Sequence, residues 1–300
     1  MARFLSRMLA ICITATACQG GGSLSVTETP TGPSDSAASG ASPIVVPDPD
    51  PHGELSRDPS ALAEDLSITS RRLTAALETW TDLTSPAPAE AQLLALHEQR
   101  IFALLADSPG LAGRTLALLS GRLGRTARTN VEAGAAIRSG IRPAKRLPGF
   151  STGPPDPAAE LRADYDEAET GFGVAWEVLA AVNFVETRFG RIRSASYADA
   201  RGPMQFIPST WKRYGLGGNV HDPHDAIIGA ANYLAASGAP GDYRAALHAY
   251  NPSKTYVKAV WLYAKQMMRN PAVFLVYYNW EVVVITTRGD VQLTGPGSDA

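Results

Sequence analysis

Cysteine is almost absent from this chain of 300 residues: Cys12 and Cys18 are the two, both near the start. No disulfide framework can form in the remainder, so stability has to come from packing. Lysine is scarce too. Lys145, Lys212, Lys254, Lys258 and Lys265 are the five among 27 basic residues, and 29 acids bring the net charge to −2. No basic tail or stripe stands out, which argues against nucleic acid as a partner. There is no Gly-x-Ser-x-Gly elbow and no His partner to make a nucleophile of Ser209 or Ser253, which read instead as hydroxyl helix caps. What is present, 45% hydrophobic with 19% charged residues, is ordinary for one or two globular domains.

Residues 1–18 carry Arg3 and Arg7, an apolar run from Met8 to Ile13, and the small residues Ala15, Thr16 and Ala17 ahead of Cys18. This reads as an export signal, too short for a spanning helix. Two processing outcomes stay open. Ala15-Thr-Ala17 suits ordinary signal cleavage. Small residues directly before a cysteine, with Gln19-Gly-Gly-Gly-Ser23 behind it, resemble a bacterial lipoprotein box in which Cys18 is acylated and anchors the chain to a membrane. A lone exposed thiol outside the cell is a liability, which favours the second outcome.

Residues 19–53 are rich in Gly, Ser, Thr, Pro and Asp. With so few apolar groups to offset ordering entropy, they read as a disordered tether, whose flexible-coil reach is roughly 30–35 Å. Residues 54–142 show helical periodicity. Leu73, Ala76, Leu77 and Trp80 fall at three-to-four spacing, and after Ser85-Pro-Ala-Pro88 so do Leu93, Leu94, His97, Ile101, Leu104 and Leu105. A third tract is expected from about Ala112 to Ile137, interrupted near Gly121 and Gly124. The Pro- and Gly-rich stretch 143–157 marks a linker. Residues 158–271 read as short helices near 158–170, 174–187, 208–214, 223–237, 243–248 and 253–268. In 272–300, alternation at Tyr278, Trp280, Val282 and Val284 suggests a β-hairpin.

The helix starting near Val174 places Ala175, Leu179, Val182 and Glu186 on one stripe, since three- and four-residue steps return to one face. Glu186 therefore continues an apolar face at a helix end. Partial burial and the negative end of the helix dipole both disfavour its charged form, which suits a general acid at neutral pH. Glu177, nine residues earlier, points to another face and has no motif partner.

Around Glu186 the sequence resembles the lytic transglycosylases, peptidoglycan-cleaving enzymes with a lysozyme-like fold. The matching blocks are Val185-Glu-Thr187 with Phe189-Gly190, then Gly202-Pro-Met-Gln-Phe-Ile-Pro-Ser-Thr-Trp211 and Tyr214-Gly215. After these come Asp222-Pro-His-Asp-Ala-Ile227, Ala231-Asn-Tyr-Leu234, Ala249-Tyr-Asn251 and Tyr256-Val257. Several blocks in family order over roughly 100 residues are specific where any single one is not. The resemblance implies a lysozyme-like helical catalytic domain; the periodicity before it reads as a helical bundle whose simplest role is support, and with the small C-terminal β-hairpin the chain is expected to be mainly α.

It also implies a mechanism. Glu186 would protonate the glycosidic oxygen between N-acetylmuramic acid and N-acetylglucosamine and then, as a base, deprotonate the muramyl C6 hydroxyl, closing a 1,6-anhydro ring without water. Thr187, Met204, Gln205, Tyr250 and Asn251 are the expected substrate-binding set. Of these, Met204 and Gln205 line the sugar site, Tyr250 holds Glu186, and Asn251 supports the adjacent turn. No metal or other cofactor is implied. The partners implied are peptidoglycan strands and, through Cys18, a membrane, with a place in the cell envelope facing the wall.

Other readings remain. Asp199 stands where the family usually has a small residue. A second acid there could position water and give a goose-type hydrolytic muramidase, or it could simply close a turn. The cluster from His221 to Asp225 has the look of a metal site, yet Asp222 at an N-cap, Pro223 at N1 and Asp225 at N3 read as a helix start. Trp211, Tyr214, Tyr233 and Tyr256 could stack on sugars, although aromatics at helical spacing more often fill cores, the reading taken for Trp211 and Tyr233. A wall-binding or scaffold protein that keeps the fold without catalysis is the alternative to an enzyme.

Overall fold

A computed structural model describes residues 47–147, 149 and 151–298. The expected export signal, Cys18 and most of the tether lie outside the described residues. The order of elements is α1 (Pro59–Glu78), α2 (Ala89–Asp107), α3 (Pro109–Ala117), α4 (Gly121–Gly140), α5 (Ala158–Phe172), α6 (Trp176–Thr187), α7 (Pro208–Tyr214), α8 (Pro223–Ala236), α9 (Tyr243–Tyr250), α10 (Lys254–Arg269) and α11 (Val273–Tyr278), then β1 (Val283–Thr286) and β2 (Gly289–Gln292). The chain is mainly α with one small antiparallel hairpin, in which Val284 pairs with Val291. No described helix is long and apolar enough to cross a membrane.

Several helices start where the local chemistry satisfies free backbone donors. The Asp58 carboxylate accepts from the amides of Ser60 and Ala61, with Pro59 at the first helical position. Asp222 caps α8, Asp242 caps α9, and the Ser253 hydroxyl accepts from the Tyr256 amide at the head of α10. The tract expected from Ala112 to Ile137 is two helices. The chain breaks at residues 118–120, and Gly121, with φ 60°, restarts it. Gly124 lies inside α4, where an added Cβ would sit 2.5 Å from the Leu119 carbonyl oxygen, so it marks close packing rather than a break. The tail also differs from its expected pattern. Tyr278 ends helix α11, because Phe274, Tyr277 and Tyr278 fill an aromatic core at helical spacing, and the strands begin only at Val283.

One apolar core runs through the molecule from Leu62 to Trp280. Helix α10 packs against α4 on one side and α6 on another, while α5 packs on α8. Between α4, α10 and α11 the Gln266 amide donates to Asn130 Oδ1 at 2.6 Å and to the Tyr277 hydroxyl at 2.8 Å, and that hydroxyl donates to Asn130 Oδ1 at 2.7 Å. Buried polar groups satisfied in this way fix register as well as cohesion. Helix α6 is buried on nearly every face, not along one stripe, with Trp176, Val178 to Phe184 and Thr187 all inside. It is the central helix of the surrounding layers, and its two carboxyl groups, Glu177 in the first turn and Glu186 in the last, are its partly exposed acids.

Candidate active site

Glu186 lies in that last turn and is partly exposed. Desolvation pushes its carboxyl up to about 7 from the ordinary 4.5, opposed by the hydroxyl of Tyr256. Tyr256 comes from α10 and is 1% exposed. Its hydroxyl is buried and comes near enough to Glu186 to favour the carboxylate, though outside the geometry of a full hydrogen bond, and it has no other partner among the described residues. Burial, and then the nearness of Glu186, hold the Tyr250 and Tyr256 hydroxyls well above 10, so both stay protonated. A carboxyl group titrating near neutrality beside two neutral hydroxyls can give and later take a proton.

A raised carboxyl does not by itself mark an active site. Glu98 on α2 is also pushed up to about 7 by burial, yet it is 6% exposed and accepts a 2.6 Å bond from the Ser70 hydroxyl. Glu186 differs in being partly open to solvent and in preceding Thr187, whose hydroxyl bonds the turn from Gly202 to Phe206.

That turn is built on backbone constraints. Gly202 has φ 73°, and a Cβ there would lie 1.8 Å from the Val220 carbonyl oxygen, so no other residue fits without moving the chain. Gln205 takes a left-handed φ of 49°, which L-residues resist. Its amide nitrogen donates to the Gly202 carbonyl at 3.0 Å, and its amide oxygen bonds to no described group, leaving an acceptor for a ligand. The Arg201 and Phe206 backbones pair across the base at 2.9 and 2.8 Å.

The expected substrate-binding residues divide. Gln205 remains placed to meet a ligand. Thr187 does not: it is fully buried, and its hydroxyl donates to the Pro203 carbonyl at 2.6 Å while accepting the Gly190 amide at 2.9 Å. It ties the Gly202 turn to the end of α6. Met204 is fully buried as well, so its side chain offers no surface to a sugar. The Tyr250 hydroxyl donates to the Met204 carbonyl at 2.6 Å, fixing the turn and not the Glu186 carboxylate. The group that faces Glu186 from a neighbouring helix is Tyr256, which sequence reasoning placed among stacking or core aromatics. Its signal was present in the Tyr256-Val257 block just after the Ser253 cap. Asn251 accepts the Ser253 amide at 3.2 Å and supports the turn into α10.

Asp199, with φ 61°, is exposed, and both its oxygens accept the Arg201 guanidinium, at 3.0 and 2.9 Å. Asp222, His224 and Asp225 present their ligand atoms within 4.8 Å of one another. All three are already engaged within the protein. Asp222 caps α8, Asp225 accepts the Asn219 amide at 2.8 Å, and His224 lies 3.2 Å from Glu167. Trp211 is half-buried, with its ring 5.1 Å from Phe206 and close against Gly215 and Gly229. Tyr214, Tyr233 and Tyr250 form an aromatic row with centroid spacings of 4.6 and 5.5 Å. A hollow of about 400 Å³ lies beyond the turn, between Arg201, Phe206, Trp211 and Lys212, and Glu186 is not part of its lining.

Comparison with known proteins locates this geometry. Residues 165–270 match the Transglycosylase SLT domain, a span that holds Glu186, the Gly202 turn, Tyr250 and Tyr256. The membrane-bound lytic murein transglycosylase F of Thiobacillus denitrificans is 32% identical over 81 residues, which is 27% of this chain and 17% of that protein. The match thus spans less than a fifth of that relative's length. No solved structure matches.

Proposed function

We propose that this chain, which carries a lytic transglycosylase-type domain over residues 165–270, cleaves the glycosidic bond between N-acetylmuramic acid and N-acetylglucosamine in peptidoglycan. The observation that carries this reading is the Glu186 carboxyl, pushed up to about 7 by burial and set at the partly open end of a buried helix whose next residue, Thr187, bonds the Gln205 turn. Protonated at neutral pH, Glu186 gives its proton to the leaving oxygen as the bond breaks. The carboxylate so formed takes the proton of the muramyl C6 hydroxyl, whose attack on the anomeric carbon yields the 1,6-anhydro product. Glu186 ends the cycle protonated, as it began.

A single carboxyl group suffices for both steps because the substrate's N-acetyl group can answer the positive charge at the anomeric carbon, a role that most glycosidases give to a second carboxylate. Asp199, the candidate for such a second acid, is occupied by Arg201, which favours the non-hydrolytic route. Gln205 offers its free amide oxygen to an amide or hydroxyl of the sugar, and Tyr250 keeps the turn at that height through Met204. A place in the cell envelope follows from a peptidoglycan substrate, and acylation at Cys18 would hold the chain there.

Turnover of isolated peptidoglycan by wild type and by Glu186→Gln tests the assignment. General acid–base catalysis is worth roughly 10²–10⁴-fold, so the variant should lose at least that much rate. Turnover that survives the substitution removes Glu186 from the mechanism and favours a wall-binding role.

A further inference from the structure

Immediately after Glu186 and Thr187, three successive residues adopt left-handed backbone angles: Arg188 (φ 55°), Phe189 (φ 57°) and Gly190 (φ 81°). Two of them carry a Cβ that crowds the neighbouring carbonyl in this conformation, so the turn persists only where its surroundings over-determine it. Phe189 is fully buried, its ring 5.6 Å from Phe184 and 5.5 Å from Phe274. Arg191 closes the turn. Its backbone amide and its guanidinium Nη1 both donate to the Arg188 carbonyl, each at 3.3 Å.

The Arg191 side chain is buried, and its Nε lies 3.2 Å from Oε2 of Glu281. Glu281 belongs to the segment between α11 and β1 and is 3% exposed. It is itself gripped from three sides. The Thr294 hydroxyl donates to Oε2 at 2.6 Å. The Gln99 side chain of α2 accepts the Glu281 amide at 2.8 Å and donates to the Glu281 carbonyl at 2.9 Å. Gly295, with φ 83°, packs so close that a Cβ there would lie 2.3 Å from the Glu281 carboxyl carbon. Gln99, Glu281, Thr294 and Gly295 all fall outside the matched span 165–270.

We propose that the Arg191–Glu281 pair is a latch through which the C-terminal tail and α2 hold the strained turn after α6, making Arg191 and Glu281 positioning residues for Glu186. The inference rests on the catalytic reading of Glu186 given above. A catalytic acid misplaced by an ångström loses orders of magnitude in rate, and the local bonds after Glu186, from the Arg188 and Phe189 amides to the Phe184 and Asn183 carbonyls and from the Gly190 amide to the Thr187 hydroxyl, hold backbone angles that side chains with a Cβ resist. With the latch released, the left-handed turn relaxes, the last turn of α6 frays, and more water reaches a carboxyl group whose proton is held by its partial burial.

The test uses the full chain. Removing one partner strands a buried charge, whereas replacing both by apolar residues of similar size often leaves stability intact. The variant of choice is therefore Arg191→Met with Glu281→Met. The expected result is cooperative melting like that of wild type, KM within twofold, kcat reduced at least tenfold, and the alkaline limb of the kcat profile moved to lower pH. A folded double variant with wild-type kcat and an unmoved limb overturns the latch. Should the double variant not fold, Thr294→Val removes the 2.6 Å bond to Glu281, together with the 3.0 Å bond that the same hydroxyl accepts from the Val282 amide, and should shift kcat and the limb the same way to a smaller degree. No shift in that variant overturns the latch equally. Failure of the catalytic reading is seen separately, as turnover surviving Glu186→Gln before any latch variant is assayed.

Discussion

Glu186 should make the protein less stable as pH rises, and removing its charge should show by how much. Its carboxyl titrates at about 7 in the fold against 4.5 for the free group. Below pH 4.5 the group is protonated in both states and costs nothing. Between 4.5 and 7 the folded chain binds more protons than the unfolded chain, so stability falls with rising pH, and above 7 the penalty is complete. The shift corresponds to about 3 kcal/mol at 1.36 kcal/mol per pH unit, an upper figure because the group is partly solvated. Glu186→Gln keeps the shape and removes the titration. The variant should therefore unfold with the same free energy as wild type near pH 4.5 and be about 2–3 kcal/mol more stable at pH 8, while losing turnover. Glu98 also titrates near 7 and will tilt both curves, but it cancels in the difference between the two proteins. Urea unfolding monitored by tryptophan fluorescence at several pH values gives the comparison. A difference that stays flat from pH 4.5 to 8 would falsify the claim that desolvation sets this carboxyl.

Gly202→Ala should destabilise the fold by about 2–5 kcal/mol, combining the clash with Val220 and the left-handed φ. A thermal melt within a degree or two of wild type speaks against the turn geometry. Tyr250→Phe strips the Met204 carbonyl of its donor, for a cost of about 1–3 kcal/mol. It should also slow turnover, while leaving the alkaline limb of kcat nearly in place if Tyr250 acts through the turn. Tyr256→Phe keeps the ring but removes the hydroxyl that lowers the Glu186 value, so the alkaline limb should move to higher pH. A limb moving down in that variant contradicts the assignment of Tyr256. Thr187→Val, which loses bonds to Pro203 and Gly190, should cost about 1–3 kcal/mol and lower kcat with little change in KM.

Much of the helical frame was legible in the sequence because capping residues and periodicity are local. Asp222-Pro223 and Ser253 announce α8 and α10, and Pro208 starts α7, with bounds within a residue or two of those expected. Glu186 was readable as the acid closing an apolar helix, although that helix is buried on nearly every face and not along the single stripe expected. What could not be read is what depends on contacts across the chain. Tyr250 and Tyr256 are both aromatic residues in family-like blocks, and nothing local says which hydroxyl reaches Glu186 and which reaches Met204. Thr187 has the same hydroxyl whether it faces a sugar or a buried carbonyl. The left-handed angles at Arg188 and Phe189 run against residue preference, so no propensity rule finds them, and the Glu281 that answers Arg191 lies far downstream, beyond α11. The late start of the hairpin has a similar cause: an alternating pattern at Tyr278 and Trp280 also fits one short helix packed into aromatic neighbours.

The most direct test of the central claim is mass spectrometry of the muropeptides released from peptidoglycan by the wild-type protein. If Glu186 returns its proton by deprotonating the C6 hydroxyl, the products end in 1,6-anhydro-N-acetylmuramic acid and are lighter by one water than the corresponding hydrolysis products. Products with a reducing N-acetylmuramic acid end, formed at the same rate and abolished by the same Glu186→Gln substitution, would show that water takes the place of the C6 hydroxyl and would contradict the mechanism.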